Sequence, residues 1–171
     1  LLSRGLEINM SKCECWGPAA PIFARQFSDM HEIPWTVSSG ITILGIPVCF
    51  PGSSTFHKEA WAKANENLAS ATDKVTRLVD AQLAHHLLRT CLDGCKVNHL
   101  LRASDTFSDV TGVAEVDNTL LSAFGDIVGA SLNGEQASQA SLPLRVGGCG
   151  IRSPLSLRGP ARISVLASYY S

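Results

Sequence analysis

The period of the hydrophobic pattern changes once along the chain. Over residues 1–52 the apolar residues come in short bursts, at 13–16, 34–37 and 41–50, set among Pro, Gly and Ser. Bursts of this length bounded by turn residues predict short strands. The run Ile41, Thr42, Ile43, Leu44, Gly45, Ile46, Pro47, Val48 is rich in β-branched residues and almost wholly apolar, which suits a buried strand. Pro47 has no amide proton to give to a ladder, so it marks the end of that strand or an edge.

From Ser53 onward the spacing is helical. Trp61, Leu68 and Val75 are seven apart, and Ala64, Ala71 and Leu78 follow the same step. This predicts a helix over 55–79 with one apolar stripe, N-cap candidates Ser53, Ser54 and Thr55, and charged residues such as Lys58, Glu66 and Arg77 on or beside the outer face. A second helix is predicted over 80–92, with Leu83, Leu87, Leu88 and Cys91 inward and Asp93-Gly94 as its stop. A short helix over 96–103 follows. Val113, Val116, Leu120, Phe124, Ile127 and Val128 mark a third long helix that ends near Asn133-Gly134. The last helix, 160–170, would carry Pro160 in its first turn. The expected fold class is α+β, mainly α: a small β-rich piece over 1–52, then a helical bundle over 53–171. Three or so short strands do not bury two sheet faces, so the β piece is expected to be part of a larger sheet.

Composition changes this picture little. The chain is 45% hydrophobic and 17% charged, which excludes a disordered tail. A formal net charge of -1 lacks the basic balance usual in a free-standing nucleic-acid binder. The charge is segregated, however. Residues 103–135 hold six acids and no Lys or Arg, whereas 136–171 hold Arg145, Arg152, Arg158 and Arg162 and no acid.

The longest apolar run, 41–50, is too short to span a bilayer, and no secretory leader pattern is present, so a soluble intracellular protein of the nucleus or cytoplasm is expected. In that compartment the six cysteines are expected to be reduced, with Cys91, Cys95 and Cys149 buried among apolar neighbours. Cys91, Cys95 and His99 are four apart, and Cys13-x-Cys15 and His85-His86 add further ligand types. No Cys-x-x-Cys knuckle accompanies them, so no structural zinc is expected. Gly147-Gly148-Cys149-Gly150 lacks the Gly-Lys-Ser/Thr of a phosphate loop and reads as a turn.

Several short motifs then occur in a telling order. Gly5-Leu6-x-Ile8-Asn9-x-x-Lys12 is similar to the motif that follows the active-site turn of reverse transcriptases. Ile43-Leu44-Gly45-Ile46-Pro47 resembles the family's next motif, the hairpin that grips the primer. Asp80-Ala81-Gln82-Leu83-Ala84, Leu87-Leu88-Arg89-x-Cys91 and Lys96-x-Asn98-His99-Leu100-Leu101-Arg102 resemble helices of its thumb. Gln139-Ala140-Ser141-Leu142-Pro143 and Gly147-Gly148-Cys149-Gly150-Ile151-Arg152-Ser153 look like a segment found after the thumb in non-LTR elements, with Cys149 where Leu is commoner. The resemblance covers nearly the whole chain.

A C-terminal fragment of a non-LTR reverse transcriptase is thus implied, comprising the end of the palm over 1–52 and the thumb with its extension over 53–171. The implied role is to hold a duplex of RNA template and DNA primer, with no membrane involved. The family reaction uses Mg²⁺ held by a paired-Asp turn and a further upstream Asp. Phe27-Ser28-Asp29-Met30 and Phe107-Ser108-Asp109-Val110 each offer one Asp where two are needed, and they read as a turn and a helix cap. No catalytic residue and no bound cofactor are therefore expected here: Mg²⁺ belongs to the intact enzyme, with the upstream fingers and palm. Lys12 is an auxiliary candidate near the pyrophosphate. Candidate nucleic-acid contacts are Lys12, Leu44, Gly45, Arg89, Lys96, Arg102 and the tail arginines. The competing expectation is a helical interaction or scaffold domain with no nucleic-acid role, supported by the near-neutral charge and the acidic stretch.

Overall fold

A computed structural model gives the fold and describes residues 9–17, 22–50, 55–104 and 110–170. The chain is α+β and mainly helical. It divides into two compact units, Leu1–Phe56 and His57–Ser171.

In the first unit a 3₁₀ turn, Met10–Lys12, precedes strand β1, Cys15–Gly17. Helix α1, Ile22–His31, then leads to β2, Trp35–Val37. β2 lies parallel to β1, with Cys15 opposite Trp35 and Gly17 opposite Val37. A parallel pair requires a crossover, and α1 supplies it. This corrects the reading of residues 27–30 as a turn. Ser28 and Asp29 imitate a turn signal, but the buried Ser28 hydroxyl donates to the Ile33 carbonyl just beyond the helix end. The chain leaves the helix at Glu32, whose φ of 55° is left-handed.

The apolar run over 41–50 also differs from expectation. It is a hairpin of β3, Gly40–Ile43, and β4, Ile46–Cys49, paired antiparallel with Thr42 opposite Pro47. Pro47 is buried, whereas Thr42, Ile43 and Val48 are exposed. Leu44-Gly45 forms the turn, with positive φ at both residues, 52° and 80°, as a type I′ reversal requires.

The second unit holds nearly all of helix α2, Thr55–Thr76, in which Trp61 and Leu68 are buried and Ala64, Ala71 and Val75 pack against the same core. Ser53 and Ser54 lie outside the described residues. α2 ends before Leu78, which stands outside the helix and exposed. Helix α3, Ala81–Leu87, starts at Asp80, whose carboxylate accepts the Gln82 and Leu83 amides at 2.9 and 3.1 Å. The predicted helix over 80–92 then widens into a π-helical turn, Leu88–Leu92. That turn shifts the phase, so Leu88 and Leu92 face inward and Cys91 outward, and Leu83 is also exposed.

A 3₁₀ turn, Gly94–Val97, runs into α4, Asn98–Ala103. Helix α5, Thr111–Val128, stops at Gly129 in the left-handed conformation. Residues 107–109, expected in a cap ahead of it, lie outside the described residues. Asn133, expected near its end, instead starts α6, Gly134–Ser141, through reciprocal bonds with Gln136 at 2.9 Å each. Helix α7, Pro154–Tyr170, begins six residues ahead of Pro160. Pro154 occupies its first turn, where the missing amide costs nothing. Trp61, Leu88, Leu101, Val113, Leu120 and Ile151 lie at the centre of the core.

Candidate nucleic-acid interface

The sequence candidates fall on both units. Lys12 closes the 3₁₀ turn ahead of β1 and is exposed. The motif over 5–8 lies outside the described residues. At the hairpin tip Leu44 is 94% exposed. A left-handed Leu carries backbone strain that Asn or Gly would avoid, and here it holds a large apolar side chain out in solvent.

In the second unit the helical path over 94–103 buries Val97, Leu100 and Leu101 and exposes Lys96, His99 and Arg102. These three are three apart, so they share the outward face. Two tail arginines meet this stretch, Arg162 from α7, which packs along α4, and Arg152 from the segment just ahead of α7. Arg162 Nη1 donates to the Arg102 carbonyl at 3.2 Å. Arg152 donates to the Asp93 carboxylate, from Nε at 2.6 Å and Nη2 at 3.1 Å. Asp93 is also the cap of the turn that carries Lys96, accepting the Cys95 amide at 3.1 Å.

The electrostatics of the corner follow from this. The Asp93 side chain is fully buried, so it neutralises Arg152 without offering a carboxylate to solvent. Its hydrogen bonds hold the Arg152 guanidinium above its ordinary value. Burial, then the Asp93 carboxylate, push the Cys95 thiol up, while Arg152 and Lys96 pull it the other way. Asp105 and Asp109 follow in sequence but lie outside the described residues.

Arg89 sits apart, on the π-helical turn, half-buried. Its stem lies over Gly150, where a Cβ would come 3.0 Å from Arg89 Cδ. The His85 ring packs on Phe124 and its Nε2 bonds to the Cys149 carbonyl at 2.9 Å.

The glycine-rich turn binds no anion through its backbone. The amides of Val146, Gly147, Gly148, Cys149, Gly150 and Ile151 all donate to carbonyls of residues 140–144. It closes the end of α6, and a Cβ on Gly148 would lie 2.0 Å from the Leu142 carbonyl oxygen.

Sequence reasoning named the cations but missed Asp93, which read as a helix stop; the acid-free tail was the signal for Arg152 and Arg162. The expectation of buried thiols fails for two of three: Cys91 and Cys95 are exposed and Cys149 is intermediate. Cys91 and Cys95 lie on the outer side of the π-helical and 3₁₀ turns. Among the described residues no three His, Cys, Asp or Glu side chains come together as metal ligands. Among those residues, too, no helix is long and apolar enough to cross a membrane. No family model, no curated protein and no solved structure matches the chain.

Proposed function

We propose that the chain is the duplex-holding part of an RNA-directed DNA polymerase of non-LTR retrotransposon type. In this reading it grips RNA template and DNA primer while the catalytic aspartates and their Mg²⁺ ions belong to other parts of the enzyme. The observation that carries the reading is the corner of α4 and α7. It draws Lys96, Arg102, Arg152 and Arg162 from two distant stretches, with the Asp93 carboxylate buried against Arg152 and Arg162 bonded to the Arg102 carbonyl. A phosphate-tracking surface needs donors without exposed acids, and no sequence code. Taken by itself, the first unit carries at its hairpin tip an exposed apolar side chain, Leu44, of the kind that packs against a sugar or base.

The test is binding of the purified chain to a fluorescent primer–template duplex over a salt series. Affinity is expected to fall linearly with log salt, with a slope of roughly −0.9 per phosphate contact. Lys96→Glu with Arg102→Glu is expected to flatten that slope by about two contacts. Binding that ignores salt would overturn the reading. On the same reading the chain alone yields no primer extension.

A second reading, a helical interaction domain, is favoured by the end of α7. There Ile163, Leu166 and Tyr170 share one face and are exposed. Salt-independent capture of a helical protein, without duplex binding, would select it.

A further inference from the structure

We propose that Arg152 is a phosphate-binding arginine and that Asp93 is the residue that positions it. This rests on the duplex reading above.

The ion pair is side-on. Nε reaches Oδ2 at 2.6 Å and Nη2 reaches Oδ1 at 3.1 Å. Two of the three guanidinium nitrogens are thereby committed, and the Nη1 edge takes no part in the pair. The two partners are unequal in exposure: the Arg152 side chain is 55% exposed and that of Asp93 is 0%. The carboxylate belongs to the interior, while the arginine straddles the surface.

Asp93 is itself fixed. It accepts the Cys95 amide at 3.1 Å and so is locked to the turn Gly94–Val97. Gly94 has no side chain to separate the segments: a Cβ there would meet the Arg152 carbonyl at 3.1 Å. The fold therefore brings the backbone of Arg152 close to this turn and fixes the guanidinium plane.

A free surface arginine has to give up rotamer freedom when it takes a ligand. Here folding has already removed that freedom, and the remaining N–H groups point in a set direction. Guanidinium donors of fixed plane suit the paired oxygens of a phosphate. Lys96, three residues after Asp93, supplies a second, exposed cation from the turn that Asp93 caps. The chemistry recognised is a phosphate group, from a phosphodiester backbone or from free phosphate.

Arg152→Lys is the informative variant. Its single ammonium can keep the bond to Asp93, but it then has no planar edge left for a phosphate. We expect it to weaken duplex binding roughly tenfold at about 0.1 M salt and to lower the salt slope by about one contact. Arg77→Lys, just beyond α2 in an exposed pair with Asp73, is the control and should leave both unchanged. A neutral pair, Asp93→Asn with Arg152→Gln, keeps hydrogen bonds across the contact without charge. It should bind as weakly as Arg152→Lys while circular dichroism shows the native helix content, which covers the case in which Arg152→Lys fails to fold.

Inorganic phosphate, added at constant ionic strength, separates the two sources. Displacement of the duplex from the native chain but not from Arg152→Lys identifies the free ion, and no displacement identifies the backbone phosphodiester; both support the site. If the native chain binds duplex and both altered chains bind equally well, the site falls and the duplex reading stands. If the native chain binds no duplex, both fall.

Discussion

In His57–Ser171, Trp61, Leu88, Leu101, Val113 and Leu120 are each no more than 1% exposed, whereas in Leu1–Phe56 the apolar side chains of Val37, Ile43, Leu44 and Val48 stand between 38% and 94% exposed. Among the first-unit residues whose side chains are described, 9, 11–17, 25–50 and 55–56, only Ile33 and Pro47 bury an apolar side chain. Both units are supplied with apolar residues; they differ in geometry. Helices in the second unit turn their apolar stripes toward one another and enclose a volume. In the first, two strands pair in each sheet and one helix crosses over, which gives a sheet face little to pack against. The second unit therefore encloses a core of its own and also carries the exposed face at the end of α7, whereas the first buries few of its described apolar side chains.

A pair of truncations tests that contrast most severely. Leu101→Ala removes a fully buried side chain and should lower unfolding free energy by about 2–5 kcal/mol. Val37→Ala, on the exposed side of β2, should stay within about 0.5 kcal/mol. Urea denaturation followed by far-ultraviolet circular dichroism measures both. Equal losses would mean that the first unit is as well packed as the second, and the contrast would be gone.

Sequence reasoning succeeded where one signal decided an element. The seven-residue step from Trp61 to Val75 needed only a helix to be true, and α2 buries that stripe. It failed where two signals competed. Residues 27–30 carry Ser and Asp, which favour turns in isolation, yet the β-α-β crossover imposes a helix on them. Asn133-Gly134 resembles a stop and is a start, because Gly129 had already ended α5 and Gln136 was available to complete the cap. The facing of the stretch after Leu87 was not legible either: a single π-helical turn rotates Cys91 out and Leu92 in, and no local spacing announces it.

The same holds for the interface. Lys96 and Arg102 were legible as cations on one short helical stretch. Their company was not. Arg162 arrives on α7 and Arg152 on the segment just ahead of it, over separations of 60 residues from Arg102 and 59 from Asp93. Asp93 had the spelling of a helix terminator, Asp-Gly, and its second role depends on a partner far away in sequence.

A milder test comes from the first unit. Leu44 is held at a φ of 52° and Gly45 at 80°. Asn tolerates the left-handed region far better than Leu, so Leu44→Asn should stabilise the hairpin by about 1 kcal/mol. The core of the second unit should be untouched, since the change is confined to an exposed turn. Amide hydrogen exchange over residues 40–49 reads the hairpin alone. Slower exchange there with weaker duplex binding would mean that the strain is retained for the exposed side chain. Faster exchange would show that the tip does not favour Asn.

The rim of the well-packed unit offers the subtlest measurement. Cys95 is exposed, yet burial of its sulfur and the neighbouring Asp93 carboxylate raise its thiol above the ordinary value. The folded chain therefore holds this proton more tightly than the unfolded chain. The stability it contributes is fully present below the unfolded value and is lost as pH rises through the folded one. Between about pH 8 and 10, around the ordinary thiol range, the native chain should lose slightly more stability than Cys95→Ser. At about pH 9, iodoacetamide should label Cys95 more slowly in the folded chain than in about 6 M urea, which suffices to unfold a small domain. Mass spectrometry resolves each site. Because the thiolate is the nucleophile, the lag should shrink when Asp93→Asn removes the repelling charge. A lag that Asp93→Asn leaves unchanged would assign the slow labelling to access alone, and the corner would then lack the field that its buried carboxylate is argued to set.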